Sequence, residues 1–96
     1  MKILSLLLPA IVTCFSASAT EKKVIEIGTK PESVCRGFGG KLYVTMLNDG
    51  EPGDGEIKVL DDKEHKVFAK GLNNPKGMAF VGGFLVVSDE TMVRKI

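Results

Sequence analysis

The sequence predicts an all-β chain of short antiparallel strands, and two observations carry that prediction. Runs rich in β-branched and aromatic residues alternate with Gly, Pro, Asn and Asp clusters, and no useful length of chain carries apolar residues at helical spacing. The second observation is a repeat: proline, a short strand, a Gly-Gly turn and a second apolar strand recur in that order from Pro31 and again from Pro75. The prolines are 44 positions apart, and the glycines Gly39 and Gly82 are 43 apart. A period in the low forties with four strands per period marks a propeller blade, a four-stranded sheet that buries its faces only by stacking on neighbours. The expected fold is therefore antiparallel four-stranded blades of a β-propeller, fewer than two of them present, preceded by a signal peptide.

Residues 1–19 carry the export signal: Lys2 as a positive start, the apolar run Ile3 to Phe15, then Ala17-Ser18-Ala19 as a small-residue cleavage site that leaves Thr20 first. The run is broken by Pro9 and falls short of the about 20 residues that span a hydrocarbon core, so no transmembrane segment is expected in the mature chain. Ile11-Val12-Thr13-Cys14 loosely resembles a bacterial lipobox, an alternative that would acylate Cys14, although Thr13 is larger than the residue usual there. Either route places the protein outside the cytoplasm, secreted or periplasmic.

Cleavage removes Lys2 from 13 basic residues and nothing from 12 acidic ones, which leaves a formally neutral chain. Nucleic-acid binding relies on clustered Lys and Arg, and none stands out, so no nucleic-acid partner is expected. With Cys14 gone, Cys35 has no internal partner for a disulfide and reads as a small buried strand residue.

Eight strand runs follow: Val24 to Ile27, Ser33 to Arg36, Lys41 to Met46, Glu56 to Leu60, Lys66 to Ala69, Gly77 to Val81, Phe84 to Ser88 and Met92 to Ile96. Gly82-Gly83 accepts positive φ at both positions and predicts a tight hairpin, Gly39-Gly40 does the same one unit earlier, and Asp61 to His65 is a polar turn. Residues 20–30 are expected to be the outer strand of a closing blade, 31–74 the first blade and 75–96 an incomplete second. A segment this small, without a disulfide, buries too little to stand alone, so it is expected to be a fragment that needs the remaining blades of a longer protein.

Pro31 to Thr45, with Gly-Gly-x-Leu-Tyr-Val-Thr, and Gly71 to Phe80, with Gly-Leu-x-x-Pro-x-Gly-Met-Ala-Phe, resemble the NHL and senescence-marker/gluconolactonase group of six-bladed propellers. Leu42-Tyr43-Val44-Thr45 also resembles the related YVTN repeats, and the resemblance covers about Val24 to Ile96. The absence of Trp removes the signature of WD repeats and leaves the kelch pattern incomplete. In gluconolactonase-like members a divalent cation sits in the central channel on acidic and amide side chains at the start of inner strands. The resemblance puts Glu32 there as the one metal ligand in view, while the equivalent place in the second unit is Lys76, whose ammonium has no lone pair to give.

Other tempting residues have plainer readings. The loop Asn48 to Glu56 is acidic and glycine-rich but lacks the alternating order of a calcium loop, and reads as a solvated connection and a candidate rim for ligand contact. His65, the sole histidine, reads as an exposed turn residue; Tyr43, Phe68, Phe80 and Phe84 read as packing between blades. No catalytic constellation emerges. The expected function is a secreted or periplasmic propeller with a small-molecule or protein ligand; the alternatives are a metal-dependent gluconolactonase-like hydrolase of cyclic esters, with Glu32 a metal ligand, and a purely structural repeat module.

Overall fold

The structure is a computed structural model that describes residues 22–96, so the expected signal peptide and Cys14 lie outside the described residues. The described chain is all-β. Strands β1 (Pro31–Arg36), β2 (Leu42–Met46), β3 (Gly55–Asp61) and β4 (Glu64–Leu72) form one antiparallel meander, and β5 (Pro75–Val81), β6 (Phe84–Asp89) and β7 (Met92–Lys95) form a second. Among the described residues the two sheets close into no ring or barrel.

The turns follow their sequences. Gly82 and Gly83, at φ 57° and 84°, make the two-residue link that closes on the Val81–Phe84 pair. Gly39-Gly40 differs from expectation: the loop is three residues, Phe38-Gly39-Gly40, closed by Gly37 N–H donating to the Lys41 carbonyl at 2.8 Å. Phe38 is thus the extra residue behind the change of offset from 44 to 43. Its ring turns inward and lies edge-on to Tyr43 and Phe80, with centroids at 5.8 and 4.8 Å.

Strand alternation gives each sheet two faces. We call front the face of the first sheet that carries Tyr43, Thr45 and Ile57, and rear the face that carries Val44, Met46 and Leu60. The front packs against Leu85 and Val87 of the second sheet, with Cys35, Val59, Ala69, Leu72 and Met78 around them. Thr45 crosses this interface. Its buried hydroxyl accepts the Ser33 N–H at 3.0 Å and donates to the Lys76 carbonyl at 2.9 Å, so the two sheets share a hydrogen bond as well as a core. Gly55 permits the closest approach, since a Cβ there would run into the Pro75 ring.

Val24 to Ile27 forms no strand, contrary to the sequence expectation. No ladder partner reaches it among the described residues, and β2 takes its hydrogen bonds from β1 and β3. The segment instead lies on the rear of the first sheet, where Ile27 is buried on Val44 and Met46 and the Lys58 ammonium donates to the Ile27 carbonyl at 2.7 Å. Val24 remains 84% exposed.

Candidate functional site

Three connections gather at one end of the sheets: the β2–β3 loop, the Asn73-Asn74 link and the β6–β7 turn at Glu90-Thr91. Hydrogen bonds tie them together. Gly53 N–H donates to Asn73 Oδ1 at 3.0 Å, and Asn74 Nδ2 donates to Glu90 Oε2 at 3.5 Å. The long loop is braced internally, because Asn48 Nδ2 donates to the Asp54 carbonyl at 2.8 Å and Asp49 N–H to the Asp54 carboxylate at 3.1 Å. Asn48 and Gly50 supply the positive φ that its reversals need.

Beneath this end sits a carboxylate that sequence reasoning missed. Asp89 is fully buried and holds three donors: Asn73 N–H at 2.9 Å, Asn74 N–H at 2.8 Å and Arg94 Nε at 2.8 Å. The equivalent position in the first sheet, 43 residues earlier, is the buried Met46, which has no carboxylate to hold such donors. In the first sheet the polarity of the linkage reverses: Leu47 and Asn48 N–H donate to the carbonyls of Lys30 and Thr29, at 2.9 and 3.2 Å. An Asp at the end of a strand carries no sequence sign of this role. Its partners come from a link fifteen residues earlier and a strand five residues later.

Glu32 lies exposed on β1 at the same end, and with the exposed Asp49, Glu51 and Glu90 it makes four carboxylates against the three exposed lysines there, Lys30, Lys70 and Lys76. The end is therefore acidic. The Asp54 carboxylate is engaged by its own loop, and no group of three or more His, Cys, Asp and Glu side chains is placed to hold a metal ion among the described residues. A hard cation such as calcium takes about six to eight oxygens, and Glu32 supplies at most two. The residues present do not make up such a site, and any ion held by Glu32 would draw its other ligands from elsewhere.

His65 sits at the opposite end, exposed as the second residue of β4 rather than inside the reversal, opposite Leu60. With Lys63 and residues 23–26 it lines an open cavity of about 400 Å³. Tyr43, Phe68 and Phe80 join Phe38 in the aromatic contact between the sheets, whereas Phe84 lies outside it, its ring 4.2 Å from the Lys95 ammonium. Burial pushes the Cys35 thiol above its usual value. No helix among the described residues is long and apolar enough to cross a membrane. Comparison with family models, curated proteins and solved structures finds no match.

Proposed function

We propose that this chain is an exported, secreted or periplasmic, part of a β-propeller repeat array that binds a ligand or partner at its acidic loop end. The observation that carries the reading is the repeated use of equivalent residues. Ser33 and Thr45 on β1 and β2 are matched by Gly77 and Ser88 on β5 and β6, and Ser88 Oγ accepts the Gly77 N–H at 3.1 Å as Thr45 accepts that of Ser33. Two sheets that stack front to rear with one hydroxyl motif support a propagating array. The loop end suits a ligand because its backbone is held by cross-links while Glu32, Asp49, Glu51 and Glu90 stay exposed. Such a surface favours cationic groups such as those of a basic peptide.

Titration of the purified chain with tetralysine, followed by amide chemical shifts, tests the binding. Shifts are expected at residues 48–54, 73–74 and 90; shifts confined to Lys63 and His65 would refute the placement. Export is tested separately, by N-terminal sequencing of the secreted product, for which Thr20 is the expected first residue.

A further inference from the structure

Asp89 is linked to more of the loop end than the residues it touches. One carboxylate oxygen accepts two successive backbone N–H groups, from Asn73 at 2.9 Å and Asn74 at 2.8 Å, and the other accepts Arg94 Nε from β7 at 2.8 Å. Asn73 N–H also lies 3.1 Å from that second oxygen. Each anchored residue then commits its side chain to a different connection. Asn73 Oδ1 accepts the Gly53 N–H at 3.0 Å, and Asn74 Nδ2 donates to Glu90 Oε2 at 3.5 Å. With the backbone held at both amides, the carboxylate decides where these two side chains can point.

The Asn73 arm runs on into the β2–β3 loop. Gly53, at φ 79°, lies inside the reversal that Asp54 N–H closes on the Glu51 carbonyl at 3.1 Å. The Asp54 carboxylate in turn accepts the Asp49 N–H at 3.1 Å. Asp49 and Glu51 therefore stand on a loop tied to the link between the sheets by the bond from Gly53 to Asn73. Glu90 stands at the end of the other arm. Three of the four exposed carboxylates at this end are thus connected to Asp89, and the fourth, Glu32 on β1, lies outside both arms.

We propose that Asp89 and Arg94 are positioning residues for the loop end: the buried carboxylate and its guanidinium set the place of Asn73 and Asn74, and through them the geometry in which Asp49, Glu51 and Glu90 meet a cationic group. The ligand rests on the function proposed above; the relay through Asn73 and Asn74 does not. Side chains that are already placed lose less freedom when a ligand binds, which is what pre-organisation contributes to affinity. Such coupling is reciprocal, so a ligand that needs the ordered end also holds Asn73 and Asn74 closed on Asp89. An amide cannot replace the carboxylate. With its oxygen turned to the link, its NH2 faces the Arg94 Nε–H, donor against donor; turned the other way, the NH2 meets the two backbone N–H groups.

A double-mutant cycle on the full chain tests the relay, with hydrogen exchange at the Gly53 amide as its readout. Asn73→Ala removes the acceptor and should speed Gly53 exchange about three- to tenfold. Asp89→Asn, 36 positions beyond Gly53, should speed it about twofold or more. With Asn73→Ala already in place, Asp89→Asn should add nothing at Gly53, because its effect passes through the Asn73 side chain. Effects that multiply, or a Gly53 rate indifferent to Asp89→Asn, overturn the proposal. Arg94→Gln, at a side chain 37% exposed, disturbs the same carboxylate more mildly; it should follow the same pattern, and it decides the cycle where Asp89→Asn does not fold.

The second readout is the Kd for tetralysine. Asp89→Asn also removes a negative charge, so the matched control is Glu64→Gln, at an exposed carboxylate of the opposite end. Asp89→Asn should weaken tetralysine about threefold or more beyond that control, and saturating tetralysine should slow exchange at Asn73 and Asn74 in the unsubstituted chain. A loss equal to the control's overturns the positioning role. An unsubstituted chain that binds no tetralysine removes the proposed ligand alone, and the Gly53 cycle then decides the relay; binding at the loop end with a multiplicative cycle removes this inference alone.

Discussion

Replacing Asp89 by alanine should loosen the link between the two sheets by about two powers of ten in local opening. The buried carboxylate accepts from two backbone N–H groups, those of Asn73 and Asn74, and pairs with Arg94 at 2.8 Å. A hydrogen bond to a charged group is worth about 1.5–3 kcal/mol, and a buried donor left without a partner bears its desolvation cost. Breaking a buried ion pair costs about 3–5 kcal/mol, but the Arg94 side chain is 37% exposed and recovers part of that from water. Together these put Asp89→Ala near 3 kcal/mol, and at about 1.4 kcal/mol per decade the Asn73 and Asn74 amides should exchange roughly a hundredfold faster. Asp89→Asn keeps one carbonyl oxygen for the two amides and loses the ion pair, so it should cost about half as much. Native-state hydrogen exchange read at those two amides is the assay. An Asp89→Ala chain whose Asn73 and Asn74 protection changes less than about twofold would refute the reasoning.

Three further outcomes are expected. Thr45→Val keeps the shape but strands the Ser33 N–H and the Lys76 carbonyl, so the Ser33 amide should lose about tenfold in exchange protection. Gly55→Ala drives a methyl into the Pro75 ring and should cost about 1–3 kcal/mol, read as a lower urea midpoint from the emission of Tyr43, the sole tyrosine in a chain without Trp. Cys35 has a thiol raised by burial, so at a given pH less of it is thiolate; its alkylation by iodoacetamide should reach half its plateau rate at a more alkaline pH than a free cysteine does. Alkylation half-maximal at or below the pH of the free amino acid would count against that burial.

The strands were legible because their signal is local. β-Branched runs between Gly, Asn and Asp turns placed all seven observed strands within a few residues, and Gly82-Gly83 named its own hairpin through two positive φ angles. What sequence could not show depends on residues far apart in the chain. Val24 to Ile27 has strand composition, but a strand exists only with a ladder partner, and none reaches it among the described residues. Asp89 bears no mark in the sequence because two of its three partners are backbone N–H groups, which any sequence supplies. At the candidate site, the family resemblance singled out Glu32 by its place at the start of an inner strand. The structure adds that the loop around it is braced by Asn48, Asp54 and Asn73, contacts that span 6 and 20 residues.

The repeat gives the two faces of each sheet unequal meanings. Along β2, Tyr43 and Thr45 serve the sheet that follows, while Val44 and Met46 receive Ile27 from the segment that precedes. Along β6 the parity is the same, with Leu85, Val87 and Asp89 facing the preceding sheet and Val86 and Ser88 facing solvent. A hydroxyl stands in both front positions, although only Thr45 reaches the carbonyl of another sheet. Local ladder chemistry accounts for half of this: both hydroxyls accept the N–H across their own pair, at 3.0 Å from Ser33 and 3.1 Å from Gly77. The other half, the donated hydrogen, reaches the Lys76 carbonyl from Thr45, while from Ser88 it meets the Gly77 carbonyl across its own pair at 3.5 Å. On the second sheet Ser88 and Val93 hold the places of Thr45 and Ile57, on a face that no other described strand covers.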